Sequence, residues 1–113
     1  MSAPAPFRIL LRMEVKPGMA EEFVGVWQDN AAIVGAHPAN RGHTLARSTE
    51  EQDVYYIQTA WTSEAEFREF ESSEAHLEHR GRLHPYRSAG SIAFLELVAE
   101  IPPTGAVNGG SPR

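Results

Sequence analysis

Phe7-Arg8-Ile9-Leu10-Leu11-Arg12-Met13-Glu14-Val15-Lys16-Pro17-Gly18 is the stretch that decides the fold. Phe7, Ile9, Leu11, Met13 and Val15 alternate with Arg8, Leu10, Arg12, Glu14 and Lys16, a period of two that predicts a strand with one clearly apolar face. Pro17-Gly18 ends it. Immediately afterwards the period changes: Met19, Phe23, Val26, Trp27, Asn30 and Val34 recur at three- and four-residue steps, the stripe of a helix running to about Gly35. Pro38 and Gly42 bracket a loop. A short strand over 43–48 and a polar turn lead into Val54-Tyr55-Tyr56-Ile57-Gln58-Thr59-Ala60-Trp61, rich in strand formers, so these two strands are expected to be antiparallel neighbours.

Ser63-Glu64-Ala65-Glu66 has the spacing of a capping box and starts a second helix with Phe67 and Phe70 inward. Ser72-Ser73 offers another N-cap, which predicts a broken helix pair through about Leu83. Residues 92–101 close the domain as a last strand. The resulting order, strand, helix, strand, strand, helix, strand, is the α+β ferredoxin-like βαββαβ arrangement with a four-stranded antiparallel sheet. Helices cover one face of such a sheet, and an apolar second face calls for a partner, most simply a second copy. The working domain is expected over 7–101, with flexible tails at 1–6 and 102–113 that are too polar and Pro/Gly-rich to offset their ordering entropy.

The 113 residues contain no cysteine, one lysine against nine arginines, five histidines, and a formal charge of −5. Disulfide scaffolds, thiolate metal sites and thiol nucleophiles are therefore excluded. No stretch reaches the roughly 18 apolar residues of a bilayer span, and the N-terminus lacks the pattern of a secretory signal, so a soluble cytoplasmic protein is expected. An acidic chain with a single lysine is a poor partner for nucleic acid or anionic membrane. Gly-rich phosphate cradles and G-x-S-x-G elbows are missing, which argues against flavin, nicotinamide or serine-hydrolase chemistry. No cofactor is expected.

The chemistry concentrates in residues 76–87, where His76, His79, Arg80, Arg82, His84 and Arg87 put six basic side chains into twelve positions. His76, His79, Arg80 and Leu83 share a helix face beside Phe67 and Phe70. Imidazole accepts a proton near neutral pH and guanidinium stabilises the anion left behind, a pairing suited to deprotonating a phenol or a carbon next to a carbonyl. His76, His79 and Arg80 are the catalytic candidates. The simpler explanation of the run is dipole complementarity, since basic residues end this helix and Glu64, Glu66, Glu69, Glu71 and Glu74 precede them. A metal site at His76-x-x-His79 with His84 is disfavoured because no carboxylate motif accompanies it. Trp27, Trp61, Tyr55 and Tyr56 read first as core. As pocket lining, Trp61, Phe67, Phe70, Trp27, Tyr56, His84 and Tyr86 are the candidate substrate contacts.

A first strand closing on Val15-Lys16-Pro17-Gly18, a third ending in Trp61, then Ser63-Glu64-Ala65 with Phe67 and a short helix from Ser73 to Leu83, resembles the antibiotic biosynthesis monooxygenase family over about residues 7–101. That resemblance implies a homodimeric α/β barrel built by joining two sheets. It also implies a cofactor-independent monooxygenase that oxidises a polycyclic aromatic polyketide of anthrone or naphthacenone type to a quinone with O₂. In the actinorhodin-type branch the pocket uses Trp, Tyr, Asn and Arg. The matching positions here are Trp61, Phe67, Ile57 and, with a one-residue gap, Arg80, so His76 or His79 would stand in as base. The loop 37–42 and Leu83-His84-Pro85-Tyr86-Arg87 look similar to tetracenomycin-type members or to those of angucycline and spore-pigment pathways. The haem-degrading branch is rejected, because its Asn, Trp and haem-ligating His fall on Leu11, Phe70 and Arg80. The competing expectations are a polyketide cyclase or isomerase of the same fold and a non-catalytic accessory subunit.

Overall fold

The computed structural model describes residues 6–104. Strand β1 (Phe7–Val15) runs between two partners in an antiparallel sheet of order β2-β3-β1-β4, with β2 at Asn40–Arg47, β3 at Val54–Trp61 and β4 at Arg87–Glu96. Helix α1 (Ala20–Gly35) follows β1 through a turn in which Gly18 takes a φ of +81°, a conformation other residues adopt at a cost. Helices α2 (Glu64–Glu71) and α3 (Glu74–Leu83) follow β3. A 3₁₀ turn, His84–Tyr86, then feeds β4. This is the ferredoxin-like α+β architecture.

All three helices lie on one face of the sheet, as the alternation of β1 requires. Phe7, Ile9, Met13 and Val15 are buried there, in register with Trp61, Thr59, Tyr55 and neighbours on β3. Phe23, without any exposed surface, packs with Tyr55, Ile57 and Leu83 at one end of the core. Trp61, Phe67, Phe70 and Val34 fill the other end. The opposite sheet face carries Arg8, Leu10 and Arg12 beside Ala60, Gln58 and Tyr56.

Helix α2 begins where the sequence places it, although its cap is only half of a capping box. The Ser63 Oγ accepts from the Glu66 amide at 3.3 Å, but the Glu66 carboxylate accepts from the Thr62 and Ser63 hydroxyls instead of returning to a backbone N–H. Ser73 caps α3 in the same manner, its Oγ accepting from the His76 amide at 3.2 Å. The two N-caps in succession break the helix pair and bend the chain around the sheet.

Two strand boundaries differ from the sequence expectation. Strand β2 starts at Asn40 rather than 43, because the register shifts between Asn40 and His43, where Gly42 has a φ of +123° and donates its amide to Asn40 Oδ1 at 2.9 Å. The irregularity hides the alternation. Strand β4 spans Arg87–Glu96 rather than 92–101: Ala89, Gly90 and Ser91 are weak strand formers held in place by the ladder to Glu14, Met13 and Arg12. Beyond Glu96 the chain leaves the sheet, and Val98 and Ile101 are largely exposed. Of the expected tails, residues 1–5 and 105–113 lie outside the described residues.

Helix α1 is fastened to α3 by a buried polar residue. Asn30 donates from Nδ2 to the Val26 carbonyl at 2.8 Å and accepts at Oδ1 from Arg82 at 3.1 Å. Asn30→Ala is expected to cost about 1 to 2 kcal/mol in chemical denaturation, because the bonds are made away from water. Arg82→Ala, whose side chain is half exposed, is expected to cost less than about 1 kcal/mol. The reverse order would contradict this account of the α1–α3 contact.

Candidate functional site

The break between α2 and α3 leaves a cavity of about 340 Å³ between these helices and the sheet. Its floor is Ile9, Leu11, Ile57, Thr59 and Trp61 of the central strands, with Gly90, Ile92 and Phe94 of β4 to one side. Phe67, Phe70 and Glu71 come from α2, and His76, His79, Arg80 and Leu83 from α3. The helical spacing that put His76, His79, Arg80 and Leu83 on one face thus directs all four to one cavity.

An aromatic wall closes one end. The Trp61 ring lies 5.4 Å from Phe67 and 5.0 Å from Phe70, and its Nε1 donates to Thr59 Oγ1 at 2.9 Å, so its polar edge is satisfied while its face is buried. Phe94 stacks on Phe7 at 6.1 Å and approaches Phe67 at 6.3 Å. The His76 ring stands edge-on to Phe70 at 5.2 Å.

The environment of His76 and His79 favours their neutral forms. Burial holds the pKa of His79 below its ordinary value of 6.5, and the positive charges that His76, His43 and Arg82 can carry act in the same direction. For His76 burial is again the largest cause, opposed by Glu71 and reinforced by Arg80. The Nδ1 atoms of both rings are buried without a hydrogen-bond partner in the protein. A neutral imidazole has one nitrogen able to accept a proton, so each is chemically competent as a base toward a molecule in the cavity. Among the described residues no group of three or more His, Asp or Glu is arranged to hold a metal ion.

Six of the ten residues singled out from sequence meet in this cavity: His76, His79, Arg80, Trp61, Phe67 and Phe70. The other four do not line it. Tyr56 is on the opposite sheet face, in register with Arg12, because the β1 pairing turns Tyr55 rather than Tyr56 toward the helices. Trp27 stands edge-on to His43 at 5.5 Å and lines a separate shallow groove between α1 and β2 with Val24, Leu45 and Tyr55. Tyr86 packs on Phe23 and donates its hydroxyl to Glu22 at 2.8 Å, tying the 3₁₀ turn to α1. His84 is exposed at the start of that turn. Sequence reasoning missed Glu71, Arg87 and Phe94 as lining residues; placing β4 five residues late removed the alternation that aligns Gly90, Ile92 and Phe94.

A ferredoxin-like domain with an aromatic cavity roofed by a broken helix pair defines the class, and the sequence specifies it further. Residues 6–82 match the antibiotic biosynthesis monooxygenase family, and the chain belongs to that family. It is 29% identical over 91 residues to protein SchA of Streptomyces halstedii, a match that takes in 80% of this chain and 24% of that protein, so the chain spans about a quarter of the length of this curated relative. Among solved structures it is similar to SnoaB, a cofactor-independent oxygenase from Streptomyces nogalater, with a TM-score of 0.77, 22% identity and coverage of 88% of this chain and 99% of that one. A conserved protein from Methanosarcina mazei Go1 shares the fold at 14% identity, with a TM-score of 0.73 over 80% of this chain and 91% of that one. At these identities the structural likenesses establish the fold. Among the described residues no helix is long and apolar enough to cross a membrane.

Because the folded pKa values of His76 and His79 lie below those of the unfolded chain, the unfolded state binds more protons near and below pH 6.5. Stability is therefore complete above the ordinary histidine pKa and declines as pH falls through that value toward the folded one. Denaturation midpoints measured from neutral to mildly acidic pH should fall on acidification, and His79→Asn should flatten the decline. An equally steep decline in the variant would remove His79 as its source.

Proposed function

We propose that the cavity oxidises a polycyclic aromatic polyketide phenol, of anthrone or naphthacenone type, to a quinone with O₂ and without a cofactor. The observation that carries this reading is that His79, which is buried, and His76, which is half-buried, both with pKa values lowered by burial, line one cavity with Arg80 and an aromatic wall. Family membership and the shared fold with a cofactor-independent oxygenase support it.

The chemistry follows from those groups. His76 or His79 takes the acidic proton of the substrate, and Arg80 stabilises the resulting phenolate. The electron-rich anion transfers an electron to O₂, and the radical pair combines into a hydroperoxide at the ring methylene carbon. Loss of water leaves a carbonyl there, so one oxygen atom ends in the quinone and the other in water. Trp61, Phe67 and Phe70 close one end of the cavity with apolar ring edges and faces, against which a fused-ring substrate packs.

With dithranol under air, the protein should accelerate quinone formation, and Arg80→Ala should lower kcat/KM by about 10- to 100-fold. Replacing whichever histidine acts as base should cost at least about 100-fold. Trp27→Phe, outside the cavity, should change the rate by less than about twofold. The base must be neutral to act, so kcat/KM should fall on acidification with a midpoint below 6.5. Folded protein that turns over neither an anthrone nor a naphthacenone would sink the proposal.

The same reading includes a homodimer formed through the sheet face opposite the helices. Leu10, Tyr56 and Ala60 lie on that face with Leu95, which is 41% exposed. Covering this face with a second copy removes apolar surface from water. Light scattering should give twice the 12.5 kDa chain mass, and Leu95→Arg should shift the protein toward monomer. A wild-type chain that is monomeric at micromolar concentration would contradict this arrangement.

A further inference from the structure

We propose that Arg87 is a second anion-binding point of the cavity, and that the substrate is an acidic aromatic whose carboxylate lies away from the ring that is oxidised. This rests on the oxygenase reading of the same cavity and narrows its substrate class.

The charges around the cavity do not balance. Two guanidinium groups line it, those of Arg80 and Arg87, and its lining contains one carboxylate, Glu71, which is already paired with Arg68 at 3.2 Å. Among the described residues Arg12, Arg68 and Arg82 have carboxylate partners, whereas Arg8, Arg41, Arg47, Arg80 and Arg87 have none, and of these five it is Arg80 and Arg87 that line the cavity. Arg80 is exposed and Arg87 half-buried, so water can solvate both, but two guanidiniums without carboxylates at one cavity give it the charge and the donors to bind an anionic ligand. Deprotonating a phenol produces a single negative charge, and Arg80, on α3 near His76, is placed to meet it. Arg87 is left to meet another.

The position of Arg87 is built into β4. A Cβ at residue 90 would stand 3.3 Å from Arg87 Cδ, 3.4 Å from its Nη1 and 3.1 Å from the Arg12 carbonyl oxygen. Glycine at 90 therefore leaves the space across which the Arg87 side chain lies. Gly90, Ile92 and Phe94 follow one another along the cavity side of the strand, so the guanidinium and the Phe94 ring mark opposite ends of a path of about 13 Å. The Arg68 guanidinium covers one face of the Phe94 ring at 4.4 Å and is itself paired with Glu64 and Glu71, so an extended fused-ring plane with its apolar end against the rest of Phe94 presents a carboxylate at the Arg87 end. The planar fork of a guanidinium matches a carboxylate in two parallel hydrogen bonds. Gly90 acts here as a positioning residue.

The test compares two quinones with the same dihydroxyanthraquinone ring: rhein, which has a carboxylate, and aloe-emodin, which has a hydroxymethyl group in its place. Binding to the full-length chain is followed at neutral pH by tryptophan fluorescence. The wild type should bind rhein at least about tenfold more tightly. Arg87→Gln should bring the two affinities to within about twofold, and Gly90→Ala, which keeps the charge and displaces it, should reduce the preference. The wild-type preference should also shrink with added salt. Equal affinities in the wild type, a preference unaffected by Arg87→Gln, or one insensitive to salt would overturn the inference. The salt series needs no variant, so it decides the matter even where Arg87→Gln does not fold. Binding of the quinones requires no turnover. A protein that prefers rhein yet fails to oxidise anthrones would remove the oxygenase reading alone, and one that oxidises anthrones while binding both quinones equally would remove the carboxylate site alone.

Discussion

Trp61 is the side chain on which the remaining structure depends. It ends β3, in register with Phe7 on one neighbouring strand and Asn40 on the other, so it fixes three strands at one point. Its ring is 1% exposed and is enclosed by Phe67, Phe70 and the edge of His37, whose Nδ1 accepts from the Ala39 amide. Aromatic pairs of this kind contribute about 0.5 to 1.5 kcal/mol each beyond simple burial. Emptying a site this well packed costs about 3 to 5 kcal/mol, a large part of the stability of a small domain. The same ring lines the cavity, so core packing and the shape of the cavity are joined in one residue.

The two consecutive serine caps determine what that wall encloses. A continuous helix from Glu64 to Leu83 would run straight over the sheet and cover a single stripe of it. With Ser63 and Ser73 both accepting from backbone amides, the chain makes two short helices that meet the sheet at different places. Phe67 and Phe70 fill the space beside Trp61, Leu83 reaches the core around Phe23, and the uncovered area between them is the cavity. Its two imidazoles and one of its two guanidiniums belong to α3. Burial there lowers the pKa of both imidazoles, which favours the proton-accepting form that the proposed reaction uses.

Much of this is legible in the sequence, and the exceptions have physical causes. The strand of residues 7–15, the stripe of α1 and the two serine caps depend on local periodicity and capping, which a sequence carries explicitly. His76, His79 and Arg80 are legible as a set because a single helix face brings them together. Tyr55 and Tyr56 are indistinguishable by type, and only the register with Met13 and Arg12 decides which faces the helices. Trp27 lies on the flank of a broad stripe, where it packs on His43 rather than Phe70. The early part of β4 is held by its partner strand rather than by its own propensity. Arg87 joins the cavity through space that a glycine three residues later leaves open, a relation visible only after folding.

The most direct measurement is the fate of dioxygen labelled with heavy oxygen, using protein freed of metal and flavin and an anthrone as substrate. The account predicts that each quinone formed acquires one labelled atom at the oxidised carbon, the second label leaving as water. It also predicts that no quinone is formed by the protein in the absence of oxygen. Quinone oxygen derived from solvent, a product formed equally well under anaerobic conditions, or activity that returns only with added metal or flavin would contradict it.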